Sequence, residues 1–202
     1  MQHEPATPGP HPAILLVHGS GGNVSFWADR IAPYLTRLNV ALYAVHYFDS
    51  TGTQRADTAT ILDGFHFPAW LATLSDALAY IRGRPKVDAN RIALLGISLG
   101  AFLSLTLATD PAARVRAIVE ISGGMPEQYA VGASASFPPT LILHGGADNI
   151  VPVARAHELD ELLTRHKVPH ETHILPNQGH WFDGPAQMQI LLNTARFLAQ
   201  HL

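Results

Sequence analysis

The chain has 202 residues, 47% of them hydrophobic and 14% charged, a net charge of −3 at pH 7, and no cysteine. That length and balance suit one globular domain and exclude a disordered chain. The missing cysteines exclude disulfides, thiolate metal sites and a cysteine nucleophile, and the lack of a lysine-arginine cluster argues against a nucleic-acid or anionic-membrane surface.

Residues 1–12 are rich in proline and polar side chains and read as a loose lead-in to a domain spanning 13–202. The first five residues lack the basic start and apolar stretch of a signal peptide, and no apolar run is long enough to span a bilayer. A cytoplasmic protein with no membrane partner is the expectation. Residues 13–17 form a continuous apolar run, the pattern of a strand buried on both faces. It ends in His18-Gly19-Ser20-Gly21-Gly22, a turn able to point backbone N–H groups into a cavity. Residues 25–38 carry a helical pattern through Trp27, Ile31, Tyr34, Leu35 and Leu38.

Residues 40–45 read as the next strand, leading into 47–52 and a polar loop with Arg55 and Asp57. Residues 68–82 are a helix with Trp70, Leu71, Leu74, Ala77, Leu78 and Ile81 on one stripe. Residues 87–90 read as a turn feeding a buried strand at 92–95. Gly96-Ile97-Ser98-Leu99-Gly100 follows, then a helix over 101–108. Strands are expected at 115–121, 140–143 and 171–175, and helices at 152–166 and 186–202. The loop 125–139 is too short for a lid. Alternating strands and helices imply a single α/β domain: a mostly parallel sheet of about six to seven strands, with helices on both faces.

Gly-x-Ser-x-Gly between a strand and a helix is a nucleophile elbow. The turn is so sharp that a side chain at either flanking glycine would collide with its neighbours. It exposes the Ser98 hydroxyl beside a helix N-terminus, which favours negative charge. A serine hydroxyl needs a base, and the base needs an orienting partner. His180 and Asp148 both fall just after predicted strands, on the edge where ligands bind in such sheets. Ser, Asp, His is also the triad order of the α/β-hydrolase fold. Glu120 is the runner-up acid; Asp183 is too close to His180 along the chain. His18 and His144, each followed by glycine at a strand end, read as structural, bonding to local backbone. Among twelve histidines, His170 and His173 are the tightest pair. Strand alternation points them to opposite faces, so no metal site is expected. A tetrahedral intermediate needs two N–H donors: Leu99, after the nucleophile, and Ser20, with Gly21 as the alternative.

These motifs, with His144-Gly145-Gly146-Ala147-Asp148 and Gly179-His180-Trp181-Phe182, resemble the α/β-hydrolase superfamily from residue 13 onward. Within it the chain is most similar to the dienelactone-hydrolase-like branch, to which 47–52 and 87–91 also point. Dienelactone hydrolases proper use a cysteine nucleophile, where this chain has serine. From that resemblance, the superfamily's first strands, before the His-Gly turn, are expected to be missing or vestigial here.

Loops around the expected site carry Trp27, Met125, Ile150 and Trp181, alongside other aromatic residues. Apolar walls and the lack of a lid favour a short-chain or small aromatic ester as the small-molecule substrate. A serine carboxylic ester hydrolase, monomeric or homodimeric and without a cofactor, is therefore expected. A thioesterase, acyltransferase or lactone hydrolase would use the same three residues. A non-catalytic binding protein on the same fold is the alternative of another class.

Overall fold

A computed structural model describes residues 1–202. Seven strands form one sheet: β1 (Gln2–His3), β2 (His11–Val17), β3 (Ala41–Ala44), β4 (Val87–Ile97), β5 (Ala117–Ile121), β6 (Thr140–Gly145) and β7 (His170–Leu175). They lie in the order β1-β3-β2-β4-β5-β6-β7. β1 pairs antiparallel with β3, and every other neighbouring pair is parallel. The helices are α1 (Val24–Arg37), α2 (Thr58–Leu62), α3 (His66–Arg82), α4 (Leu99–Leu107), α5 (Ala154–Arg165) and α6 (Gly184–His201).

The apolar run in β2 alternates between two cores. Ala13, Leu15 and Val17 join the larger cluster, with Trp70, Leu74 and Leu78 of α3, Leu103 of α4, and Leu159 and Leu163 of α5. Ile14 and Leu16 join the smaller one, with Val24, Ala28 and Ala32 of α1, and Phe197 and Leu198 of α6. Each face is therefore covered by helices, which is why the central strands carry continuous apolar runs, 13–17, 92–95 and 117–119, rather than alternating ones. The strand order reverses between β2 and β4. A crevice at the carboxyl ends of the strands opens at such a switch point, and there the turns after β2 and β4 meet.

The structure departs from the sequence reading at several places. The lead-in is ordered into the sheet: Gln2 and His3 pair with Tyr43 and Leu42, and the Tyr43 hydroxyl donates to Glu4 Oε1 at 2.6 Å. β2 begins at His11, two residues early. Residues 87–90 are not a turn but the start of β4, with Val87 in register with His11. Further short elements were not expected, among them a 3₁₀ turn over Tyr47–Thr51, and α2, capped by the Asp57 side chain accepting from Thr60 N–H. Residues 125–139 hold a 3₁₀ turn over Glu127–Gly132 and send Ala133 and Phe137 into the core. No helix is long and apolar enough to cross a membrane.

Candidate active site

The elbow is built by exclusion. Ser98 sits at φ 54°, ψ −121°, a conformation that L residues rarely adopt. A Cβ on Gly96 would lie 2.4 Å from Gly100 O, and one on Gly100 would lie 2.0 Å from Val17 O. Only glycine fits either place. Ser98 N–H donates to Ile121 O at 2.8 Å, which ties the elbow to β5.

Asp148 and His180 follow the ends of β6 and β7, and their loops are joined. Gly146 N–H donates to Leu175 O and Ala147 N–H to Gln178 O. A Cβ on Gly145 would lie 2.2 Å from Gly179 O, so the two loops pack backbone to backbone. Asp148 Oδ1 accepts from the N–H groups of Ile150 and Val151, both at 2.9 Å. Its other oxygen, Oδ2, lies 2.8 Å from His180 Nδ1, and His180 Nε2 lies 3.0 Å from Ser98 Oγ. Ser98, Asp148 and His180 are all at least nine-tenths buried, at 7%, 8% and 5% exposed.

An ionised carboxylate only accepts, so His180 carries its proton on Nδ1 and Nε2 accepts from Ser98 O–H. Burial pushes the Asp148 carboxyl up. Its hydrogen bonds from His180, Ile150 and Val151 outweigh this and hold it below its ordinary value, in the ionised form. The arrangement can remove a proton from Ser98 Oγ and stabilise the resulting imidazolium.

The His18 turn faces the elbow. A Cβ on Gly19 would lie 3.3 Å from Ser98 Cβ. The His18 ring stacks on Tyr47 at 4.1 Å, and its Nδ1 lies 2.7 Å from Gly19 O. Burial lowers the His18 pKa to about 4, so the ring is neutral near pH 7 and its Nδ1–H donates to that carbonyl. The Gly19 carbonyl is thereby turned back toward the ring. Ser20 O accepts from Ala56 N–H, and Ser20 N–H donates to no group of the protein. Leu99 opens α4, ahead of the first bonds that Ala101 and Phe102 donate to Ser98 O. His144 is structural too: its Nε2 lies 2.9 Å from Val151 O and 3.4 Å from Asp148 Oδ2. Burial lowers its pKa, so it stays neutral beside the carboxylate.

Glu120 does not reach His180. Its Oε2 accepts from Gly123 N–H at 2.9 Å, its Oε1 has no partner, and burial pushes its pKa to about 8. Asp183 caps α6 through Ala186 N–H. Of the expected wall residues, Trp181 is 60% exposed and meets the His180 ring edge-on at 4.9 Å. Trp27 stacks with Trp181 at 6.3 Å. Ile150 is exposed next to Asp148. Met125 is instead a core residue, 6% exposed, whose carbonyl accepts from Arg155 Nη2. Tyr47 and Phe48 are buried as well. His170 and His173 turn to different partners, Val168 O and the Glu171 carboxylate, and no cluster of ligand-type side chains could hold a metal.

One residue of the site escaped the sequence reading. Ser122 is buried at φ 56°, and its hydroxyl donates to the carbonyl of His180 at 3.3 Å. The only sequence signal is its place at the end of β5, in Ser122-Gly123-Gly124.

The dienelactone hydrolase family matches residues 1–195, nearly the whole chain. Among solved structures, the dienelactone hydrolase-like promiscuous phosphotriesterase P91, from metagenomic libraries, superposes with a TM-score of 0.80 at 22% identity, covering 96% of this chain and 88% of that one. Esterase PE8 superposes with a TM-score of 0.77 at 20% identity, covering 100% of this chain and 98% of that one. These two likenesses speak to the fold. A Mycobacterium tuberculosis (strain ATCC 25618 / H37Rv) protein named "Putative phosphoribosyl transferase" is 28% identical over 144 residues, 70% of this chain and 31% of that protein. The matched region thus spans about a third of that relative's length. The family match extends through the lead-in, the elbow, the acid and base loops and most of α6. The chain belongs to the dienelactone hydrolase family.

Proposed function

We propose that this chain hydrolyses carboxylic esters through an acyl-enzyme on Ser98. The observation that carries the reading is the unbroken relay from Ser98 Oγ through His180 to Asp148, at 3.0 and 2.8 Å. As Oγ attacks the ester carbonyl carbon, its proton passes to His180 Nε2. Asp148 stabilises the imidazolium without taking its proton. The backbone N–H groups of Leu99 and Ser20 receive the developing oxyanion, each donor contributing roughly 2.7–4 kcal/mol. The imidazolium then gives its proton to the departing alkoxide oxygen as the C–O bond breaks. A water enters, loses a proton to His180 and attacks the acyl carbon. Oγ leaves with that proton, and the free acid is released.

The serine is favoured by its own geometry: a buried hydroxyl, held in a strained turn, facing a base whose other nitrogen is already committed. The absence of a lid favours compact esters over long acyl chains. The test is turnover of a short-chain aryl ester, followed together with mass labelling by an organophosphonate, in wild type and Ser98→Ala. Turnover and a single adduct, both lost in the variant, are expected. A wild type that neither turns over nor labels would overturn catalysis and leave a binding protein.

A further inference from the structure

Two indoles meet beside His180: Trp181 stands mostly in water, and Trp27 is half-buried, one side packed against the smaller core. Trp181 follows His180 directly, is 60% exposed, and sets its ring edge-on against the imidazole at 81°. Trp27, from α1, lies nearly parallel to it, with an interplanar angle of 21°. Phe26 meets Trp27 edge-on at 5.1 Å and is itself 49% exposed. Neither indole N–H donates within the protein, whereas the core Trp70 donates to Thr51 Oγ1. An exposed aromatic patch beside a reactive centre marks a binding surface rather than packing.

The reaction fixes which part of a substrate meets this patch. His180 Nε2 takes the Ser98 proton and must return it to the leaving oxygen. The alcohol portion of the ester therefore lies against the imidazole. The carbonyl oxygen lies on the opposite side, toward the turn that holds Gly19 and Ser20. Trp181 packs on the imidazole and so stands on the alcohol side, and Trp27, at the start of α1, extends its surface by stacking on it.

Building on the ester-hydrolase reading above, we infer that Trp27 and Trp181 form the leaving-group subsite and select esters of planar aromatic alcohols. Acyl length is set elsewhere. An aryl ring can lie offset on the parallel indoles or meet their edges, the arrangements that aromatic pairs prefer.

Benzyl acetate and cyclohexylmethyl acetate test this, because their alcohols are similar in bulk and leaving ability and differ in the π face. In wild type, kcat/KM is expected to favour the benzyl ester by about 3- to 10-fold, the range for one aromatic pair, with the difference mainly in KM. Trp27→Ala and Trp181→Leu are expected to bring the ratio close to one, and Trp181→Phe to restore most of it. The preference between benzyl acetate and benzyl butyrate is expected to stay at its wild-type value in all three. A wild-type ratio near one, a ratio that survives both substitutions, or a shift in acyl-length preference instead would each overturn the subsite. Loss of turnover and of phosphonate labelling in the wild type is a different result, and removes the hydrolase reading along with it.

Discussion

Replacing Glu120 with glutamine is expected to remove most of a stability loss that the wild type suffers between pH 5 and pH 8. The Glu120 carboxyl is fully buried with one hydrogen bond, and burial pushes its pKa from 4.5 to about 8. Below pH 4.5 both folded and unfolded chains hold the proton, and the group's contribution to stability is fully present. Between 4.5 and about 8 the unfolded chain releases the proton while the folded chain keeps it. Each pH unit in that window costs the folded state about 1.36 kcal/mol. The whole window accumulates a loss on the order of 4 to 5 kcal/mol, comparable with much of the stability of an ordinary domain. Glutamine has the same shape, keeps an oxygen for Gly123 N–H, and does not ionise. Urea denaturation followed by tryptophan fluorescence, at each pH from 5 to 8, is the assay. The variant is expected to gain on the wild type steadily as pH rises, by several kcal/mol at pH 8. Parallel stability curves for the two proteins would refute the reasoning, since Glu120 would then release its proton as readily folded as unfolded.

Other substitutions probe other parts of the site. Ser122→Ala removes the donor to the His180 carbonyl, and kcat for an aryl acetate is expected to fall about 3- to 10-fold with KM nearly unchanged, as read from initial rates. Asp148→Asn leaves the shape but loses the carboxylate that fixes the His180 tautomer, and kcat is expected to fall on the order of 10³- to 10⁴-fold in the same assay. Gly100→Ala drives a Cβ onto Val17 O and is expected to leave little folded protein, as circular dichroism would register. Gly184→Ala, at an open position at the start of α6, is expected instead to raise stability by about 0.4–1 kcal/mol in thermal melts.

What the sequence makes legible is what short-range chemistry dictates. The elbow announces itself because no residue but glycine fits at 96 and 100. The core strands show because the stretches 13–17, 92–95, 117–119 and 141–143 are buried on both faces and apolar at every position. What stays hidden depends on partners far away in sequence. Gln2 and His3 form a strand only because the edge of β3 is open to them. Residues 87–90 look like a turn because, beyond the buried Val87, they lie at the partly exposed amino end of β4, where polar side chains cost little. α2 buries no residue and so has no apolar stripe, although its Asp57 cap could have revealed it. Met125 reads as a wall residue, but the loop after it folds inward and takes it into the core. The Trp27–Trp181 stack joins opposite ends of the chain. Each tryptophan is visible in the sequence, and their meeting is not.

The joined loops at the ends of β6 and β7 also bear on when the site comes alive. The proposed base rides on the last strand in chain order, and it faces Ser98 only after β7 has paired with β6 from His170 to Leu175. A growing chain that has reached α5 already contains the elbow serine, yet has nothing to take its proton. On the proposed reading, reactivity waits until β7 has docked beside β6.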